Sequence, residues 1–114
     1  MSIDLPCYCS EPIDVVSKSL DSLRQIRIDL FVNNHILPDP RSLSDFTPWA
    51  ESRKITALEF GIAAQSFVFV SINKESAEQV QEVADAIYDS LGPSKVVVTF
   101  QNDHVIPHSS GAKV

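Results

Sequence analysis

The alternation of hydrophobic patterns along the chain predicts an α/β fold: a single-domain sandwich in which about three helices pack on a mixed sheet of four to five strands. Residues 67–70, Phe-Val-Phe-Val, form an uninterrupted apolar run that is typical of a strand covered on both faces. The segment from Lys74 to Leu91 follows, and its apolar residues recur at three- and four-residue steps, which predicts a helix. We therefore expect residues 67–70 to form the central strand.

The N-terminal part predicts one strand followed by one helix. Apolar and polar residues alternate from Ser2 to Ser10, and Pro6 within this run indicates an edge strand or a local bulge. The sequence Ser10-Glu11-Pro12 then offers a helix cap, and apolar residues at helical spacing continue to about Phe31. The first strand is thus expected either at an edge of the sheet or with a local bulge at Pro6, and the first helix follows it.

The rest of the chain predicts a second helix and two further strands. Thr47 and Pro48 are typical of a helix N-cap and first helical position and Gly61 of a helix stop, so we expect a helix from Trp49 to Phe60, although residues 54–60 also fit a strand. Gly92 and Pro93 likewise predict the end of the helix that begins at Lys74. Residues 95–101 predict a strand, and residues 104–106 a short antiparallel partner. Residues 1–107 make up the single predicted domain. Residues 108–114 have little to bury and are expected to form a flexible tail.

Charge and composition narrow the classes of function. The formal net charge is −6 and the isoelectric point is about 4.8, which argues against direct binding of nucleic acid. No apolar run approaches the roughly 20 residues of a membrane span, and the N-terminus lacks the features of a signal peptide, so a cytoplasmic location without membrane contact is expected. Cys7 and Cys9 are too close in a predicted strand for an unstrained disulfide, and we expect buried, reduced thiols.

Five acidic residues on the predicted helix of residues 74–91 form a candidate partner-binding surface. This surface, here called the acidic ridge, consists of Glu75, Glu78, Glu82, Asp85 and Asp89. On a regular helix they fall within a sector roughly 80° wide, opposite the apolar stripe. Like charges four residues apart each cost about 0.2–0.5 kcal/mol in an isolated helix, so stability does not explain the pattern. The ridge is either a solvated face of an acidic protein or a docking surface for a basic protein.

Trp49 is the second candidate for partner binding. It is the sole tryptophan, and it follows Pro48 at the start of the predicted second helix. A tryptophan in this position either packs in the core or anchors a protein partner, because tryptophan is enriched among the energetically dominant residues of interfaces. Both explanations stay open.

Neither a catalytic site nor a metal site is predicted. The sequence has no Gly-flanked serine, and His35 lies beside a predicted turn without a neighbouring nucleophile. Cys7 and Cys9 with His104 and His108 offer two sulfurs and two imidazoles, but cysteines two apart on a strand do not match a zinc knuckle. We therefore expect no enzymatic activity, no metal and no cofactor.

The chain resembles an immunity protein of bacterial contact-dependent growth inhibition. The resemblance is carried by residues 3–10 (IDLPCYCS), by residues 58–73 (LEFGIAAQSFVFVSIN) and by the helix-to-strand passage that follows, and it covers most of the chain in order. It implies a small cytosolic protein, encoded beside a toxin, that binds the C-terminal effector domain of that toxin and blocks it. Such effectors are often nucleases. The resemblance assigns no residue to the interface.

These observations together predict a non-enzymatic inhibitor. The expected partner is the C-terminal toxin domain, a basic nuclease, of a cognate contact-dependent growth inhibition effector, and the acidic charge of the chain suits such a partner. Two alternatives remain open. One is a small cytosolic enzyme or ligand-binding protein with a pocket near Cys7 and His35, and the other is a structural subunit of an assembly.

Overall fold

The computed structural model describes residues 2–32 and 34–110, which form one sheet with helices on both of its faces. The elements in chain order are β1 (Ser2–Cys9), α1 (Ile13–Ile26), α2 (Ile28–Phe31), β2 (Arg41–Ser42), α3 (Pro48–Glu59), β3 (Ser66–Asn73), a 3₁₀ segment (Lys74–Gln79), α4 (Val80–Leu91), β4 (Val96–Phe100) and β5 (His104–Val105). The predicted α/β class and the number of strands are confirmed. Helix α2 is a single turn, so α1, α3 and α4 are the three longer helices.

The order of the strands places β1, and not β3, at the centre of the sheet. The order is β2-β3-β1-β4-β5, and every strand pair in the described residues is antiparallel. The predicted mixed sheet and the predicted edge position of β1 are therefore corrected. The crossover from β3 through α4 to β4 leaves those two strands pointing the same way, but β1 lies between them and runs opposite to both.

Pro6 is accommodated inside the central strand by a side chain of β4. The pairing of β1 with β4 covers Cys7 to Cys9 and stops at Cys7, which lies opposite Val98 and directly follows Pro6 in the chain. At this point the Thr99 hydroxyl donates a hydrogen bond to the Pro6 carbonyl over 2.8 Å. Proline has no N–H to donate, so the ladder with β4 does not continue past it, and the Thr99 hydroxyl satisfies the Pro6 carbonyl in place of a ladder hydrogen bond.

The two faces of the sheet bury different kinds of side chain. One face packs against α1 and α4 through aliphatic residues and the two cysteines: Leu5, Cys7, Cys9, Val68, Val70, Ile72, Val96 and Val98. The other face packs against α3 through Tyr8, Phe67 and Val97. Helix α3 contributes only the small residues Ala50 and Ala57 to its buried side. The sheet therefore separates an aliphatic layer from a thinner aromatic layer.

Local sequence signals set several helix boundaries. The Thr47 side chain accepts a hydrogen bond from the Ala50 N–H, which confirms the predicted cap of α3. Gly61 and Gly92 follow α3 and α4 with φ of +86° and +98°, which confirms both helix stops. The predicted cap at Ser10 is wrong, because its hydroxyl bonds the Lys95 carbonyl and α1 begins without a side-chain cap.

Candidate functional site

The acidic ridge is divided between two kinds of helix. Its first two members lie in the 3₁₀ segment, and its last three lie on α4. Ser76 has non-helical angles, φ −119° and ψ 37°. The Asn73 side chain caps the start of the 3₁₀ segment by accepting a hydrogen bond from the Glu75 N–H. The single sector predicted for a regular helix over residues 74–91 is therefore wrong. Only the three carboxylates on α4 share one regular helix face, at spacings of three and four residues.

Glu82 is paired with an arginine from the turn between α1 and α2. The Arg27 guanidinium donates to Glu82 and also to both carboxylate oxygens of Asp29, at 3.1 Å and 3.0 Å. The hydrogen bonds to Asp29 and to Glu82 raise the pKa of Arg27, and the contact with Arg27 lowers the pKa of Asp29. The charge of Glu82 is thus partly balanced within the chain.

Asp85 is held by hydrogen bonds from two directions. Gln81 donates to it along α4 over 2.9 Å, and the Ser109 N–H and hydroxyl donate to it from beyond β5. Burial alone would raise the pKa of Asp85, but the hydrogen bonds from Ser109 and Gln81 and the nearby His108 outweigh burial, so its pKa is lowered. The carboxylate is therefore stabilised in its charged form.

Asp89 contacts the same C-terminal segment. His108 Nε2 lies 2.9 Å from an oxygen of Asp89, and His108 Nδ1 accepts a hydrogen bond from the Ser110 N–H. This geometry requires the proton on Nε2, where it is donated to Asp89. Residues 108–110, the first part of the predicted tail, thus lie against α4, and residues 111–114 fall outside the described part of the chain.

Glu75 and Glu78 differ from the other three carboxylates. Both side chains are exposed, and neither forms an ion pair with any residue in the ranges 2–32 and 34–110. Glu75 lies at the start of the 3₁₀ segment and Glu78 lies just before α4, so both are close to a helix N-terminus, where backbone N–H groups favour negative charge. These two residues are therefore the part of the acidic ridge that is best placed to meet a charged partner.

Trp49 lies on the opposite face of the sheet from the ridge. Its ring packs edge-on against Phe67, with ring centroids 5.8 Å apart and an interplanar angle of 81°. Phe67 belongs to the layer under α3, whereas α4 covers the other face. Trp49 keeps 36% of its surface exposed, so it is part core and part surface. The structure does not bring Trp49 together with the five acidic residues.

Two arginines surround Trp49 and form what we call the cationic–aromatic patch, which consists of Arg41, Trp49, Arg53 and Phe67. The Arg41 guanidinium lies 4.8 Å from the centre of the Trp49 ring, and that of Arg53 lies 5.0 Å from the centre of the Phe67 ring. Both distances are within the range of cation–π attraction. Neither arginine forms an ion pair with a carboxylate in the described residues.

Sequence reasoning found Trp49 but missed the arginines beside it. Arg53 follows Trp49 by four residues on the same helix, a spacing that places two side chains on one helix face and could have indicated the contact. Arg41 reaches Trp49 only because β2 pairs with β3, with Arg41 opposite Phe67. No local pattern gives that pairing, so the second arginine had no signal in the sequence.

His35 is a structural residue. It is buried, its Nδ1 accepts a hydrogen bond from the Asn73 N–H over 3.0 Å, and its Nε2 lies 2.8 Å from Oε1 of Gln79. Both ring nitrogens are thus used to join the loop after α2 to the 3₁₀ segment. A cleft beside His35 is lined among the described residues by Arg24, Phe31, Asn34, Ile36 and Leu37, and not by Cys7. The predicted alternative of a pocket shared by Cys7 and His35 is therefore not formed there.

The two thiols are shielded from reagents. Cys7 and Cys9 are unpaired and buried between the sheet and the helices α1 and α4. Burial raises the pKa of Cys7 well above its ordinary value and that of Cys9 to about 12.

Within residues 2–32 and 34–110, no three side chains of the metal-binding types are grouped so that they could hold an ion. In the same residues, none of the helices is both long and apolar enough to cross a bilayer.

An exposed carboxylate surface on one side of a rigid sheet and a tryptophan–arginine patch on the other are features of a small protein-binding protein. The sequence matches the family model of the CDI System Immunity Component over residues 1–104. Because the match spans most of the chain, the protein belongs to this family, the immunity components of contact-dependent growth inhibition (CDI) systems. The match ends before the residues that contact Asp85 and Asp89 from the C-terminal side.

Two relatives agree with this assignment. Immunity protein CdiI-2 from Burkholderia pseudomallei (strain 1026b) is 30% identical over 105 residues, which are 91% of this chain and 98% of the relative. A solved structure described as a CdiA-CT/CdiI toxin and immunity complex from Burkholderia pseudomallei has a TM-score of 0.80 at 29% identity, and the match covers 90% of this chain and 95% of that chain. The fold is therefore that of a chain in a solved CDI toxin and immunity complex.

Proposed function

We propose that this protein binds the C-terminal toxin domain of its cognate CDI effector in the cytoplasm and neutralises it stoichiometrically, without bond chemistry of its own. Membership of the immunity family carries the proposal, and the similar structure is a complex between a toxin and an immunity protein. The cognate toxin is proposed to be a basic nuclease. The net charge of −6 favours a partner whose own surface is positive enough to hold nucleic acid.

The acidic ridge is the surface that we assign to the toxin. Glu75 and Glu78 are exposed and have no ion-pair partner in the described residues, so a basic partner meets them without first displacing an internal cation. Glu82 and Asp89 keep about half or more of their side-chain surface exposed although they are paired. Charges of this kind mainly raise the rate of association and select the partner.

Occlusion is the proposed mechanism of inhibition. Three residues of the ridge lie on α4, which packs on a five-stranded sheet, so rigid elements present the surface and little conformational entropy is lost on binding. A negatively charged, rigid surface that covers a phosphate-binding cleft excludes nucleic acid both sterically and electrostatically. Trp49, on the other face, is proposed as a separate anchor for a protein contact and not as part of this surface.

The test is co-expression of this chain with the toxin domain encoded beside it. We expect the two proteins to co-purify one to one and growth to be rescued in cells that produce the toxin. Loss of both effects would reject the function as a whole. Turnover of a substrate by the purified chain without its partner would reject the assignment as a non-enzymatic inhibitor.

The ridge is tested by removing its unpaired charges. Glu75→Gln combined with Glu78→Gln should slow association with the toxin severalfold at low salt and flatten the dependence of the association rate on salt. Asp45→Asn combined with Glu59→Gln changes the net charge equally at the other helix layer and serves as the matched control. Equal association rates for the two double variants would exclude the ridge as the contact surface.

A further inference from the structure

A groove between α1 and α4 lies next to the acidic ridge. It has a volume of about 220 Å³ and is lined by Leu23, Ile26, Arg27, Ala86, Asp89 and Ser90. At roughly 30 Å³ for each water molecule, this is space for about seven waters, or for one large side chain. The groove exists because α4 presents small residues, Ala86 and Ser90, four positions apart where α1 passes it.

The polar groups in the walls of the groove already have partners within the chain. Ser90 Oγ donates to the Ser19 carbonyl over 3.0 Å, and Asp89 accepts from His108. Arg27 is held by Asp29 and Glu82, as described above. A polar ligand would therefore gain little from the walls, whereas an apolar side chain would bury surface against Leu23, Ile26 and Ala86.

The rim of the groove carries one strongly exposed aliphatic side chain. Ile26, the last residue of α1, is 75% exposed, and Ile28 on the next turn is also exposed. Ile26 lines the groove and is itself mostly exposed, so the apolar surface extends out of the groove onto its rim. Single exposed aliphatic residues are ordinary on a protein surface, but exposed apolar surface that is continuous with a groove offers a protein partner a place to bury a side chain.

The charge around the groove indicates which kind of residue should flank an apolar side chain that enters it. Asp29 and Glu82 contact the guanidinium of Arg27, and Asp89, which contacts His108, also lines the groove, so three carboxylates face one guanidinium's charge and the rim is negative on balance. An apolar side chain that enters here is best accompanied by a lysine or arginine that can reach the rim. The groove also shares Asp89 with the ridge and is bordered by Glu82, so both belong to one continuous surface.

We propose that the cognate toxin inserts one aliphatic or aromatic side chain, flanked by a basic residue, into the groove between α1 and α4. This inference rests on the proposed function and specifies how the toxin is held. The ridge attracts the toxin, and the groove supplies the apolar anchor that determines how slowly the complex dissociates.

The test uses the full chain and the purified cognate toxin domain in binding kinetics. Ala86→Leu fills the groove, and Ile26→Ser removes the apolar rim at a position so exposed that folding is not at risk. Each should weaken binding by about tenfold or more, mainly through faster dissociation. Leu58→Ser is the matched control, because Leu58 is a 64% exposed aliphatic residue on α3 at the other sheet face. The affinity of this variant for the toxin domain should change by less than about twofold.

The outcomes separate the inference from the function on which it depends. If wild-type protein binds the toxin and both groove variants bind it equally well, the groove is not the anchor and the proposed function stands. If wild-type protein does not bind the toxin, the proposed function fails first. If the free wild-type chain is a dimer and Ala86→Leu makes it monomeric, the occupant is a second copy of this chain and the proposal is wrong.

Discussion

The two helical layers hold their arginines by different means. On the α1/α4 side, Arg27 is bound to the carboxylates of Asp29 and Glu82. On the α3 side, Arg53 lies over the rings of Phe67 and Trp49 and has no ion-pair partner in the described residues. The first layer offers a surface of paired and unpaired charge around an apolar groove. The second offers guanidinium groups whose N–H donors are not used by carboxylates within residues 2–32 and 34–110.

This difference separates long-range attraction from short-range anchoring. Carboxylates on the α4 side act on a partner before contact, over a distance of about 8 Å in physiological salt. The tryptophan and arginines on the α3 side add ring stacking and bidentate hydrogen bonding, and these interactions need close approach. The charge of the ridge should therefore affect association, and the contribution of Arg27 to stability should depend more on salt than that of Arg53.

The largest expected effect compares the depth of the two layers. Leu20→Ala removes a fully buried side chain between α1, α4 and the sheet and should lower the free energy of unfolding by about 3 kcal/mol. Leu58→Ala on the exposed side of α3 should change it by less than about 0.5 kcal/mol. Urea denaturation monitored by circular dichroism measures both. Equal losses would contradict the view that the aliphatic layer carries most of the core.

The next effect compares the two buried tyrosines. The Tyr88 hydroxyl donates to the Ile106 carbonyl over 2.7 Å and accepts from the Val98 N–H over 3.2 Å. Tyr88→Phe leaves both buried backbone groups unpaired and should cost about 2 kcal/mol. The Tyr8 hydroxyl donates to the exposed Asn102 side chain, which water can satisfy, so Tyr8→Phe should cost about 1 kcal/mol or less. Thermal and urea unfolding of both variants measure the two losses in stability. A larger loss for Tyr8→Phe than for Tyr88→Phe would contradict this comparison.

A smaller effect distinguishes the two arginines by salt. Arg27→Ala and Arg53→Ala should each cost about 0.5–1 kcal/mol at low ionic strength. In about 0.5 M NaCl the cost of Arg27→Ala should fall because salt screens exposed ion pairs, whereas the cost of Arg53→Ala should stay nearly constant. Unfolding free energies in low and high salt provide the measurement. A parallel decrease for both variants would show that Arg53 also acts through ion pairing.

The smallest expected effect concerns the pH dependence at Asp85. Its pKa is lowered in the folded protein, so the charged form contributes stability above the unfolded value of about 3.9, and this contribution disappears as the pH falls through the lower folded value. The difference in unfolding free energy between wild type and Asp85→Asn should therefore be constant near neutral pH and shrink below about pH 4.

Ser109→Ala is the companion variant for Asp85. It removes the side-chain hydrogen bond to the carboxylate but keeps the one from the backbone N–H. The change of its unfolding free energy with pH below about pH 4 should therefore lie between those of wild type and Asp85→Asn. Urea titrations at a series of pH values between neutral and about pH 2.5 measure both variants. A difference from wild type that grows in acid would mean that the sign of the pKa shift is opposite.

Local chemistry explains which parts of the fold were predicted correctly. The cap at Thr47 and the left-handed angles of Gly61 and Gly92 depend on one side chain or one backbone position, and the sequence predicts them directly. The position of Pro6 was predicted wrongly because a general rule assigns proline to an edge. That rule fails here because Thr99, distant in sequence, bonds the proline carbonyl.

The candidate site was predicted in part for the same reason. The charge of the acidic residues is visible in the sequence, but their partners are not. Arg27 is 55 residues away from Glu82, and Ser109 is 24 residues away from Asp85. The groove between α1 and α4 is likewise formed by two helices whose contact no local pattern reveals.

The amino-acid sequence by itself determined the α/β class, the helix stops, the acidic character and the resemblance to CDI immunity proteins, because these depend on short-range periodicity, backbone preference and composition. Only the tertiary structure decided that β1 is central, that Trp49 and the acidic ridge lie on opposite faces, and which carboxylates remain unpaired in the described residues. Those features depend on strand pairing and side-chain contacts between distant segments, which form only when the whole core is buried together.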